Sequence, residues 1–202
     1  MESARATAIA ITGISAADPA VVSHGGSDPS DGDFVILQNV GGLNEVNNRV
    51  FRVDNQAAGT FELEGFDSSA LDAYTSGGTF AVLTMGNSFS TFLSFSGSGG
   101  EASEIDVTTV HDTIDQSVPG NKSAVSYSIA SVWDPSDAGF LALEVADDDQ
   151  VDRAFEIRFQ DSSRFLFSGR VSFLGTPTGS AGERVESPAG ISVRGRGTNY
   201  NT

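Results

Sequence analysis

The sequence predicts a mainly β protein: a β-sandwich or barrel flanked by one α-helix at about residues 135–147, with a small N-terminal all-β barrel module. Three observations predict the β class and the helix. The 202 residues include 23 Gly and 14 Phe but only two Met, a balance that suits short strands and turns better than long helices. Several segments of the second half alternate apolar and polar residues, as a strand with one buried face requires. A single segment, after Trp133, joins helix-start chemistry to a 3.6-residue period.

In the first half, Ala8-Ile9-Ala10-Ile11, Phe34-Val35-Ile36-Leu37, Val50-Phe51-Arg52-Val53 and Phe61-Glu62-Leu63 read as short strands. Asp31-Gly32, Gly41-Gly42 and Ala58-Gly59 supply the turns between them. These runs make residues 1 to about 82 a small all-β module with little helix signal; its reading as a barrel at 8–82, with a second domain at 83–202, comes from the resemblance given below. Within the second half, Ser94–Ser103 and Gly175–Gly182 are flexible by composition. Asp112–Lys122 reads as a polar loop long enough to reach away from its domain.

In the second half, Val125-Ser126-Tyr127-Ser128-Ile129 puts large residues on one face and serines on the other. Phe155-Glu156-Ile157-Arg158-Phe159 and Arg164–Leu174 repeat the alternation, with Asp161-Ser162-Ser163 as the hairpin loop joining them. A last strand near Ile191–Arg194 precedes a polar tail, Gly195–Thr202. For the helix, Asp134 is expected as N-cap and Pro135 as first helical residue. Ala138, Leu141, Ala142 and Val145 then recur at i, i+3, i+4 and i+7 and should face the sheet. Phe140 falls on the opposite side of the wheel and suggests a subunit contact. Trp133, Phe140, Leu141 and Val145 are therefore the candidates for the helix and its subunit contact. Asp147-Asp148-Asp149 opposes the macrodipole at the helix C-terminus, so it is assigned to solvation or to a partner.

Chemistry is hard to place on this chain. Zero cysteines exclude disulfides, thiolate metal sites and cysteine nucleophiles. His24 and His111 lie one in each half, in turn-rich contexts that predict surface positions. No nucleophile elbow, Walker A motif or dinucleotide fingerprint occurs. Asp28, Asp31 and Asp33 around Gly32 are the candidate calcium ligands, but no bidentate Glu follows at EF-hand spacing and no helices flank them. An Asx-rich turn is the stronger reading. No cofactor is expected. With 27 acidic and 11 basic side chains the net charge is −16, which repels nucleic-acid phosphate. That balance reads either as solubility in a salty habitat or as a surface over which nucleic acid passes without sticking. No apolar run approaches the length of a membrane span and no export signal is recognised, so no membrane partner is expected.

From Glu104 to Gly197 the order of features resembles the major tail tube proteins of long, flexible-tailed phages of the lambda type. Trp133-Asp134-Pro135 leads the apolar helix, Phe155–Gln160 stands where that family has a "YKIRFP"-like strand, and Phe167–Gly175 stands for its "FxGxVxxxG"-like return. The resemblance implies a structural virion subunit, assembled in the host cytoplasm, that forms hexameric rings stacked into a DNA-conducting tail tube beside other tail proteins. It also implies an inter-ring loop at Thr109–Ser123, giving Thr109, His111, Asp112, Asp115 and Lys122 as its candidates. Residues 8–82, with Asp31-Gly32-Asp33-Phe34, Asn48-Arg49-Val50-Phe51 and Thr60-Phe61-Glu62-Leu63, look like a module similar to the first-catalytic-cysteine half-domain of ubiquitin-activating enzymes. Enzyme activity does not follow without a cysteine, and such a module is expected to decorate the outside of the tube. The alternatives are another β-rich tail component (adaptor, terminator or fibre segment) or a carbohydrate-binding tail protein, which one Trp and three Tyr disfavour.

Overall fold

A computed structural model of the chain describes residues 1–201. It is mainly β, with a single α-helix among the described residues. Strands β1 (Glu2–Arg5), β2 (Ile9–Ile14), β3 (Val21–His24), β4 (Phe34–Gly41), β5 (Arg49–Ala57), β6 (Thr60–Leu63) and β7 (Ser76–Met85) form one antiparallel sheet. Because β7 pairs with both β2 and β4, six strands close into a barrel in the order β7-β2-β3-β6-β5-β4. Closure satisfies the backbone donors and acceptors that an open edge would leave bare. The four runs expected from the sequence lie in β2, β4, β5 and β6. In β4 the run Phe34–Leu37 does not alternate because both faces are buried. Val35 and Leu37 fill the barrel with Phe51, Phe61 and Phe80, whereas Phe34 and Ile36 point outward into a second core.

The expected surface position of His24 is incorrect. It ends β3, where Val22 and His24 alternate inward, and its ring lies edge-on to Phe80 at 4.9 Å. Neither ring nitrogen has a hydrogen-bond partner, and Nε2 is 3.5 Å from Asp28 Oδ1.

The remaining strands are β8 (Phe92–Ser98), β9 (Ala102–Asp106), β10 (Ser117–Lys122), β11 (Ser126–Val132), β12 (Arg153–Arg158), β13 (Arg164–Phe173) and β14 (Glu186–Tyr200). Five of them form an antiparallel sheet in the order β12-β13-β14-β11-β8. Alternation along β12 and β13 gives that sheet two packed sides. Phe155 and Phe167, stacked at 5.2 Å and 12°, face the helix side, while Ala154 and Leu166 face the barrel and join Phe34, Ile36 and Tyr200 in the second core. The hairpin loop at Asp161–Ser163 forms as expected, with Asp161 Oδ1 accepting from Ser163 N at 3.0 Å.

Four sequence expectations are corrected here. The helix α1 runs Ala138–Asp149, and its N-cap is Asp137, whose carboxylate accepts from the N–H groups of Gly139 and Phe140. Asp134 instead caps a preceding turn through Ser136 N at 2.9 Å. Its buried residues are Gly139, Phe140, Leu143 and Ala146, so the helix is turned the other way from the expected face. Phe140 is 5% exposed, whereas Leu141 and Val145 are 48% and 58% exposed. The helix carries apolar residues on two stripes, and the larger ring wins the core: Phe140 sits edge-on to Phe173 at 5.0 Å. Two aspartates of its last turn are also structural, since Asp147 Oδ1 accepts from Phe173 N at 3.1 Å and Asp149 pairs with Arg153.

The expected polar tail is strand. β14 continues to Tyr200, bending at Gly195, where φ is +70° and a Cβ would lie 2.6 Å from Asn48 O of the barrel. Thr202, the end of that expected tail, lies outside the described residues. Arg49 Nε donates to Thr198 Oγ1 at 2.8 Å, and Arg52 N donates to Tyr200 OH at 2.8 Å. Burial pushes the Tyr200 phenol up to about 12. A phenol raised above its ordinary value near 10 contributes stability that is present below pH ~10 and lost as pH rises towards ~12. Tyr200→Phe should therefore cost about 1–2 kcal/mol at neutral pH by orphaning Arg52 N, yet flatten the alkaline loss of stability. Parallel alkaline denaturation curves for the two proteins would contradict this.

Candidate assembly surfaces

The segments expected to be flexible or loop-like, Ser94–Ser103 and Asp112–Lys122, are largely strand. Residues 102–122 form a separate two-stranded hairpin, β9 paired with β10 through Ser117↔Asp106, Val118↔Ile105 and Pro119↔Glu104. Its root is fixed at Gly99, where φ is +86° and a Cβ would lie 2.0 Å from Ala124 O. Of the expected inter-ring residues, Thr109, His111, Asp112 and Asp115 lie in the connection at its tip, and Lys122 ends β10. Asp112 Oδ2 accepts from Thr109 N at 2.7 Å and from its hydroxyl at 2.8 Å, which holds the carboxyl below the usual carboxylate range. Asp106 is held down likewise by the Thr108 hydroxyl and N–H. The arm therefore stays acidic, with Glu101, Glu104, Asp106, Asp112 and Asp115 against Lys122 alone.

The hairpin also exposes Ile105, Val107, Val110, Ile114 and Val118. Val110 is 96% and Ile114 77% exposed, and none of the five enters any of the three cores. Acidic and apolar side chains together on an arm without a core of its own make it a candidate assembly surface.

Two further surfaces stand free. Leu141 and Val145 form the outward stripe of α1, with Trp133 half-exposed before the helix and its backbone N–H donating to Val185 O. On the five-stranded sheet, Ser94, Ser96 and Ser98 of the edge strand β8 pair with Ala130, Ser128 and Ser126, and these pair with Pro188, Gly190 and Ser192. The Ser98 and Ser126 hydroxyls are 2.9 Å apart, so this face is rich in hydroxyls and small side chains. The opposite, apolar face is open beneath the connection Met85–Phe92. A cavity of about 430 Å³ lies there, lined by Phe89, Phe92, Ile129, Phe155 and Ile157 with Arg158 at its rim. Nothing in local sequence pattern marks this cavity, because its walls come from five separate segments.

The candidate calcium ligands do not converge. Asp28 Oδ1 accepts from Gly59 N, Asp31 Oδ1 from Gln56 N and Asp33 Oδ2 from Ser30 N, each within 2.9 Å. Among the described residues no group of three or more His, Cys, Asp or Glu is placed to hold a metal ion. No helix among them is long and apolar enough to cross a membrane.

A closed barrel fused to an open-edged sheet, with no convergent catalytic or metal-holding cluster among the described residues, is the architecture of a structural subunit. The sequence profile described as "Phage tail tube protein, TTP" matches residues 41–202. The chain belongs to this family, and it is a structural, non-enzymatic component of the phage tail. The match begins at the last residue of β4, so it includes part of the barrel as well as the stretch Glu104–Gly197 that carries the resemblance. No curated protein matches the sequence.

Proposed function

We propose that six copies of this chain close into a ring, that rings stack into a tube, and that the tube conducts DNA during ejection. The observation that carries the reading is the β9–β10 hairpin, an arm whose apolar residues Ile105, Val107, Val110, Ile114 and Val118 are all exposed and belong to none of the three cores. In this reading the hairpin, with Thr109, His111, Asp112, Asp115 and Lys122, bridges one ring to the next. The outer edge of β8 joins the sheet of a neighbouring subunit, which would remove its unpaired backbone groups. Trp133, Leu141 and Val145 serve as lateral contacts. A net charge of −16 keeps DNA phosphate from adhering as it passes. Residues 8–82 act as a module similar to the ubiquitin-activating half-domain and face outward from the tube, and the domain at 83–202 builds the wall. Assembly takes place in the host cytoplasm.

Electron microscopy of the purified protein tests this directly. The expected images are sixfold rings and tubes of constant width. Because the root residues Ser98 and Ser126 are neighbours, residues 100–124 can be replaced by a short Gly-Ser turn. That variant should fold and form no tubes. Full-length tubes from it, or a strictly monomeric native protein, would overturn the proposal.

A further inference from the structure

The arm and the cavity are complementary in three respects. The first is polarity. The hairpin tip offers Val110 and Ile114, two branched aliphatic side chains held out in solvent, and the cavity is walled by Phe89, Phe92, Ile129, Phe155 and Ile157. Apolar surface that leaves water on association favours the contact, so two such anchors would make the arm a substantial contact. The second is size, since about 430 Å³ is within the ~300–1,000 Å³ of cavities that enclose a few side chains or a small ligand.

The third is charge. Five carboxylates and one lysine lie between Glu101 and Lys122. At the cavity, Arg158 is largely exposed at the rim and pairs with the buried Glu156 at 2.9 Å, and Arg164 reaches the same carboxylate at 3.1 Å. Two guanidinium groups against one carboxylate leave this corner positive on a chain that is otherwise strongly acidic. An acidic arm is attracted to such a corner.

We propose that Val110 and Ile114 of one copy insert into the Phe89–Phe92–Ile129–Ile157 cavity of a second copy of this chain in the adjoining ring. Such a contact is heterologous, with different patches on the two copies, so it repeats along an axis without closing. The inference rests on the stacked-ring reading above and names the receiving site for its arm.

The chain has no native cysteine, so an introduced pair is the only possible disulfide. Val110→Cys with Phe92→Cys, oxidised at assembling concentration and inspected by electron microscopy and non-reducing gel, should give tubes and a ladder of linked chains. Each single variant should give no such ladder. Tubes without a ladder would sink the cavity assignment and leave ring stacking intact. A ladder without rings or tubes would keep the cavity contact and remove the ring reading. Neither tubes nor ladder would remove both. A cross-link confined to one chain, leaving the mass monomeric, also overturns the inference. As a second measurement, Val110→Asp with Ile114→Asp should fold normally, because both side chains are exposed, and raise the concentration needed for assembly at least tenfold. An unchanged assembly threshold would count against the contact.

Discussion

Replacing Phe140 by alanine should lower the unfolding free energy by about 3–5 kcal/mol, among the largest effects available to a single substitution in this chain. The ring is buried, meets Phe173 edge-on at 5.0 Å, and belongs to the core that contains Leu143, Ala146, Phe155 and Phe167. Truncation removes that packing and leaves a cavity that the sheet cannot follow inward, because β13 is hydrogen-bonded on both sides to β12 and β14. The informative comparison is Leu141→Ala, one residue along. Leu141 is half-exposed, so its truncation should change stability by less than about 1 kcal/mol. Urea denaturation of the two variants gives the answer. Equal losses, or the larger loss at Leu141, would mean that the helix presents its other face to the sheet.

Replacing Glu2 by alanine should cost a similar amount, about 3–5 kcal/mol, because it breaks a buried ion pair and leaves its partners behind. The Glu2 side chain is fully buried. Its carboxylate accepts from Arg5 Nε and Nη2, both at 2.9 Å, and from the buried Ala154 N at 2.9 Å. Arg5 Nη2 also donates to Asp152 O at 2.8 Å, so one carboxylate ties β1 to the edge of the five-stranded sheet. Without it, the Ala154 N–H has no acceptor in a dry junction and the guanidinium loses its charge partner. Glu2→Gln keeps an oxygen for Ala154 and should recover part of the loss. A denaturation midpoint for Glu2→Ala equal to that of the parent would show that water already reaches this junction.

Strand positions were legible where alternation is strict. The run Phe155–Phe159 and its return from Arg164 announce a hairpin, and Asp161-Ser162-Ser163 names its turn. β3 was not legible, because four residues ending in a histidine carry too little periodicity, and only pairing with β2 and β6 makes them a strand. The C-terminal residues read as a tail because Arg194-Gly195-Arg196-Gly197 is polar and glycine-rich. Their pairing with β13 and the docking of Tyr200 against the barrel decide otherwise. In the hairpin, Ser117-Val118-Pro119-Gly120 has poor strand propensity, and cross-strand pairing with β9 overrides it.

By itself, then, the sequence determined the β class, the single helix and the lack of cysteine chemistry, since composition and periodicity are local properties. The inter-ring role of Thr109–Ser123 comes from the resemblance to tail tube proteins and stands as a proposal. Only the tertiary structure decided which side of the helix is buried, because two apolar stripes compete and the winner depends on what the sheet presents opposite. The closure of the barrel by β7, the burial of His24 and Glu2, and the cavity beneath Met85–Phe92 are likewise tertiary. Each is made by residues far apart in the chain, whose meeting no local pattern encodes.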